Sequence, residues 1–241
     1  IYDRTFYQMQ AAGSVHAASV IVPMVLETLP AASVCDVGCG VGTWLNVFAR
    51  CGVRDFLGLD GDYVDRGMLQ IPSAQFRPTD LEKPIRLERT FDLAVCLEVG
   101  EHLPPSRAAG LVEDLGRVAA AVLFSAAIPR QGGVNHVNER WPSWWARIFS
   151  DCGFGVCDVI RPKIWDRADI VPCYRQNILI FARRGLIESN PALPESRPGQ
   201  IDIAHPEFYS RLIPTGDTVL LARHLWWSIN ADLRKWRSAR R

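Results

Sequence analysis

Glu98, Glu101 and His102 form an E-x-x-E-H run at the end of an apolar stretch, and His136 follows in a later loop. Carboxylates and imidazoles are the side chains that hold divalent ions or move protons near neutral pH. Two of each could hold one ion and leave coordination positions open for the oxygens of a substrate. The same groups also permit a metal-free arrangement, with His102 or His136 as general base, or a purely structural one. Spacing alone leaves all three open. Residues 131–145 carry the glycine pair Gly132 and Gly133, then His136, Asn138, Glu139, Trp141, Trp144 and Trp145. Such a loop combines polar groups with flat apolar faces suited to sugar rings or planar acceptors. Asn138, Trp141 and Trp145 are its candidate pocket residues, although one of Trp144 and Trp145 is expected to pack the following helix onto the sheet.

The element that positions these groups is a strand. Residues 93–97 (LAVCL) are continuously apolar, as in a central strand of a parallel sheet. Ligands collect at the C-terminal ends of such strands. A second stretch makes the same point more strongly. VCDVGCGVGTWL, residues 34–45, reads as a buried strand that breaks into Gly38, Gly40 and Gly42 before a helix opens at Thr43. Glycines in that position let a ligand approach the backbone. The dinucleotide fingerprint G-x-G-x-x-G would need a glycine at position 43, where Thr43 stands, so an NAD-dependent enzyme is disfavoured. FLGLDGD, residues 56–62, is the next strand, and its Asp60 lies 24 residues beyond Asp36 (60 − 36 = 24). An acid there is placed to accept hydrogen bonds from both hydroxyls of a ribose.

Asp36 followed by Gly38, Gly40 and Gly42 resembles motif I of the class I S-adenosylmethionine-dependent methyltransferases, and Asp60 matches the acid of their second strand. The resemblance covers roughly three quarters of the chain and implies S-adenosyl-L-methionine as cofactor. Asp36, Gly38, Gly40, Gly42, Asp60, Gly61, Leu97 and Glu98 would line its site, with Asp80 and Leu81 at the adenine. Glu98, Glu101, His102 and His136 are similar to the metal-binding groups of small-RNA 3′-terminal 2′-O-methyltransferases. A Glu-x-x-Glu-His run also occurs in ubiquinone-pathway O-methyltransferases. Those families act on adjacent oxygens, which a divalent ion (Mg, Mn, Fe or Zn) would chelate. Many other methyltransferases carry Glu-His at this strand end without needing a metal. HVNERWPSWW and the later YRQN resemble bacterial O-methyltransferases that act alongside glycan or secondary-metabolite pathways. The expected function is therefore O-methylation of a small molecule, sugar or glycan. The alternatives are methylation of an RNA 3′ end and a catalytically silent methyltransferase-like binding module.

The chain of 241 residues suits one α/β domain with an appendage. Strand and helix patterns alternate from 34 to 184, which predicts a doubly wound, Rossmann-like, seven-stranded and mostly parallel sheet. A helix is expected over 14–29, with a bend at Pro23. The first domain is expected to span 1–184. Residues 185–241 would form a proline-rich linker and a C-terminal helical extension, where Leu225, Trp226, Ile229, Leu233 and Trp236 share a face. That helix would pack on the protein or dock on a partner or membrane surface. A net charge of +1 offers no global case for a nucleic-acid partner. Seven cysteines with no C-x-x-C pair suit neither a disulfide framework nor a zinc knuckle, and a reduced, cytoplasmic enzyme is expected. Oligomeric state is not legible in the sequence.

Overall fold

The computed structural model describes the backbone of residues 4–208 and the side chains from residue 13 onward. The expected C-terminal amphipathic helix lies outside the described residues. Helix α1 (Arg4–Thr28) leads into β1 (Ser33–Val37), α2 (Thr43–Arg50), β2 (Asp55–Asp60) and the short β3 (Phe76–Pro78). Then come β4 (Leu93–Leu97), α3 (Ala108–Val118), β5 (Ala121–Ser125), α4 (Pro142–Asp151) and β6 (Phe154–Cys157). Short helices α5 (Arg161–Ile164) and α6 (Pro172–Asn177) precede β7 (Leu179–Arg183), and α7 (Arg184–Ser189) follows it.

The seven strands form one sheet in the order β3-β2-β1-β4-β5-β7-β6. Pairings from β3 through β5 are parallel, and β7 runs antiparallel to both β5 and β6. The doubly wound, mostly parallel sheet read from the sequence is therefore present. The reversal of strand order between β1 and β4 makes the crevice at their C-terminal ends the site-forming position of the fold.

Side-chain alternation explains why this sheet is buried on both faces. Leu93, Val95 and Leu97 of β4 join Val34, Leu123 and Ile180 in the core beneath α1 and α2. Ala94 and Cys96 point the other way, with Cys35, Val122 and Phe124, into a second core beneath α3 and α4. Phe149 and Phe181 stack there at 3.9 Å. Burying aliphatic and aromatic side chains at roughly 25 cal/mol per Å² is the main source of cohesion.

The first helix is longer than expected, beginning at Arg4 and running on through Pro23. The third strand stops at Pro78, leaving Asp80 and Leu81 in the loop beyond it. Residues past Cys157 turn into α5, where Pro162 suits the first helical turn. The first compact unit also continues past 184 to Ile203, and a second begins at Ala204. Within residues 185–203, Leu193 and Ile201 are buried, and Ser196 donates its backbone N–H to Val156. All seven cysteines are free thiols. Among the described residues, no helix is long and apolar enough to cross a membrane.

Candidate functional site

The loop after β1 is tied to the end of β2. Gly38 and Cys39 donate their N–H groups to Leu59 O at 2.8 and 3.1 Å, and Gly40 N donates to Asp60 Oδ2 at 2.7 Å. Gly38 has φ +86, and a Cβ there would fall 2.2 Å from Val99, so only glycine lets this loop close against the exit of β4. Gly42 differs in role. Its φ is +82 and a Cβ there would stand 2.8 Å from Ile71, so glycine is needed for the turn into α2. No side chain caps the first turn of α2. Its Thr43 and Trp44, with Ser14, Asp36, Leu97 and Tyr174, line a pocket of about 80 Å³ over the glycine loop. The Tyr174 hydroxyl lies 3.3 Å from Ser14 Oγ and accepts from Trp44 Nε1 at 3.3 Å.

A larger cleft of about 720 Å³ shares Gly38, Gly40, Leu97 and Tyr174 with that pocket. It runs past Asp60, Gly61, Asp80 and Leu81 to Glu98 and His102. Its lining carries Asp60, Asp62, Asp80, Glu82 and Glu98, and among the described residues no lysine or arginine. Asp60 accepts from Gly61 N at 2.6 Å and from the Tyr63 hydroxyl at 2.5 Å, both through Oδ1. The Tyr63 ring lies so close to Gly61 that a Cβ there would stand 2.1 Å from it. The sequence reading missed Tyr63, whose only signal was an aromatic residue three places beyond an acid at a strand end. Asp80 accepts from Glu82 N at 3.1 Å and pairs with Lys83 at 3.0 Å, which holds its carboxyl below the usual range. Asp36 is buried, and desolvation followed by the charge of Asp60 pushes its carboxyl well up.

Beyond His102 lies the chemistry-bearing cluster. Ligand atoms of Glu101, His102 and His136 lie within 4.8 Å of one another. The two imidazole rings meet edge to face at 4.9 Å. Glu101 is 0% exposed, and its carboxyl lies against the Glu98 carboxyl and the backbone N–H groups of Glu101 and Ala127. Desolvation first, and the adjacent Glu98 charge second, raise its carboxyl well above the ordinary value. Burial, then the nearby His136 ring, lowers His102. Three of the four expected ligands are thus assembled.

Glu98 is not in that cluster. At φ 54, its carboxyl adjoins that of Glu101 but accepts from Gln131 Nε2 at 3.2 Å and Asn177 Nδ2 at 3.1 Å. It lines the cleft instead, with its carboxyl raised by burial and partly restored by those donors.

The later loop is docked on this cluster. Val137 N and Asn138 N donate to Glu101 O at 2.8 and 3.0 Å. Asn138 is buried, donating to Gly100 O and accepting from Arg140, so it shapes the loop. Trp141 is 39% exposed beside it. Trp145 departs from its expected place in the pocket: it is buried against Phe124 at 5.0 Å, in contact with Gly100. Trp144 is half-buried under the Arg140 guanidinium at 5.0 Å.

Comparison with known proteins accords with this geometry. Residues 9–162 match a family model described as a methyltransferase domain. No curated protein sequence matches the chain. Among solved structures, magnesium protoporphyrin IX methyltransferase from Synechocystis PCC 6803 with bound SAH is 22% identical, with TM-score 0.54 over 75% of this chain and 88% of that one. SAM-bound CalS10, an amino pentose methyltransferase from Micromonospora echinaspora, is 16% identical, with TM-score 0.54 over 76% and 98%. The methyltransferase domain of a bacterial CtHen1 is 18% identical, with TM-score 0.51 over 69% and 98%. At these identities the likeness is one of fold.

Proposed function

Since this chain belongs to the methyltransferase domain family and is an S-adenosylmethionine-dependent methyltransferase, we propose that it methylates a hydroxyl oxygen of a small molecule, sugar or glycan. The observation that carries this reading is Glu101: a fully buried carboxyl crowded by Glu98 and set beside two imidazoles. A buried carboxylate is costly unless it meets a cation or hydrogen-bond donors. A donor set of one carboxylate and two imidazoles suits a divalent ion with positions left for substrate oxygens. Such an ion would draw two neighbouring hydroxyls together and favour the ionised form of one.

S-adenosylmethionine supplies the electrophilic methyl group. The chain's part is to bind, orient and exclude water. The pocket at Ser14, Asp36 and Tyr174 suits the methionine end, and the cleft at Asp60, Gly61, Asp80 and Leu81 suits the adenosine. A carboxylate offers about four acceptor sites. Asp60 already uses three, so a ribose diol there requires Tyr63 to release its hydroxyl. Glu101, His102 and His136 would hold the acceptor at the cleft's far end. In a metal-free version, His136 or His102 takes the hydroxyl proton, and burial keeps His102 neutral and able to do so.

An RNA 3′ end is the less favoured acceptor, because five carboxylates and no lysine or arginine line the described cleft. Seven unpaired thiols support a reducing, cytoplasmic compartment. The test is transfer of radiolabelled methyl from S-adenosylmethionine to sugars, catechols and RNA, with and without EDTA. The reading predicts labelled vicinal-diol acceptors and loss of label with EDTA. Labelling confined to RNA 3′ ends or to nitrogen acceptors would overturn it.

A further inference from the structure

The loop that delivers His136 contains a carboxylate with no assigned role. Glu139 Oε1 lies 3.0 Å from His136 Nδ1. The same oxygen accepts from Gly132 N at 2.8 Å, and Oε2 accepts from Arg130 N at 2.7 Å. One side chain therefore ties both ends of the turn to the imidazole. The tie acts on a loop in an unfavourable conformation, with Arg130 at φ 70 and Asn135 at φ 61. Left-handed backbone of this kind costs a non-glycine residue roughly 1–3 kcal/mol and persists only where the surroundings enforce it. Gly133 provides the second half of the holder. A Cβ there would lie 2.2 Å from His136 Nε2, so the ring rests directly on bare backbone. Val137 N and Asn138 N, bonded to Glu101 O, then fix the loop's far end beside the carboxylate that the ring faces.

We infer that Glu139 is a positioning residue that sets the tautomer of His136, keeping the proton on Nδ1 and leaving Nε2 as the basic nitrogen. The reasoning is one of donors and acceptors. A carboxylate only accepts, so the proton between Glu139 and a neutral ring belongs to Nδ1. Nε2 then has its lone pair for an ion or a hydroxyl proton. A carboxylate on the far nitrogen of a ligating histidine typically contributes 10–100-fold to metal affinity. The functional consequence rests on the proposed role of His136; the tautomer assignment does not.

The test uses the full chain labelled with ¹⁵N-histidine at pH 8, where an ordinary imidazole is neutral. Long-range ¹H–¹⁵N correlation distinguishes the two tautomers, and His136→Ala identifies the resonances. The wild type is expected to show His136 protonated at Nδ1. Glu139→Ala should give a mixture of tautomers and weaken Mn²⁺ binding about 10–100-fold, with S-adenosylmethionine affinity retained. Glu139→Gln, which keeps an acceptor oxygen, should restore part of both. Protonation at Nε2 in the wild type, or an unchanged tautomer in Glu139→Ala, overturns the inference. Mn²⁺ binding unaffected by His136→Ala would instead defeat the metal reading of the site, while the tautomer result still decides the role of Glu139.

Discussion

Glu101 and Glu98 show how two acids three residues apart come to different tasks. Glu101 turns inward to His102 and His136, whereas the positive φ of Glu98 carries its carboxylate to Gln131 and Asn177. The E-x-x-E-H spacing made the acids and His102 visible, because all leave one strand end. It could not reveal the positive φ of Glu98 or the partners Gln131 and Asn177 that its carboxyl takes. The burial of Glu101 has a pH signature. The Glu101 carboxyl is raised in the folded protein, mainly by burial. Between the ordinary value and the raised one, the unfolded chain binds fewer protons, so stability falls as pH rises through that window. Glu101→Gln, which cannot ionise, should gain thermal stability relative to metal-free wild type at pH 8. The relative gain should exceed that at pH 5 by on the order of a few °C. A thermal-shift difference that is equal at both pH values, or larger at pH 5, would contradict the assignment.

Helix α3 and the loop before β4 show an element-level device that sequence reading passed over. Asp114 looks like one more acid on an amphipathic helix, yet it is buried and ion-pairs with Arg107 and Arg117. It also accepts from Ile85 N at 2.9 Å. Arg107 in turn donates to Leu81 O and Lys83 O at 3.0 and 2.9 Å. The loop forming the Leu81 wall of the cleft is therefore bolted to α3. Periodicity shows which face of a helix is apolar, not where a distant loop brings its N–H groups. Asp114→Ala should cost about 3–5 kcal/mol, because it leaves Arg107 buried without its counter-charge. Urea denaturation checks this, and a loss below about 0.5 kcal/mol would show the pair to be dispensable. The helix α4 tells a related story: three tryptophans in five residues looked like a pocket, but the helical turn sends Trp145 into the core and leaves Trp141 outside.

At the scale of the molecule, the sheet was the most legible feature, since LAVCL and VCDV are buried on both faces and their glycine exit has few other uses. The reach of the first unit was the least legible. Residues 185–203 are proline-rich and polar, and the few anchors that hold them down leave no periodic trace. Among these are Leu193, Ile201 and the bond from Asn190 Nδ2 to Thr28 O at 2.9 Å. What the molecule does depends on whether the two ends of its crevice work together, the glycine loop with Asp60 at one and Glu101 with the two histidines at the other. The most direct measurement is the metal content of the purified protein, with S-adenosylmethionine affinity determined by calorimetry before and after chelation. The account predicts a stoichiometric divalent ion that is lost in Glu101→Ala/His136→Ala, while cofactor affinity stays near wild type. Cofactor binding with no ion retained, and none taken up on titration with Mn²⁺, would contradict the chelated-diol reading and leave the histidines to act as bases alone.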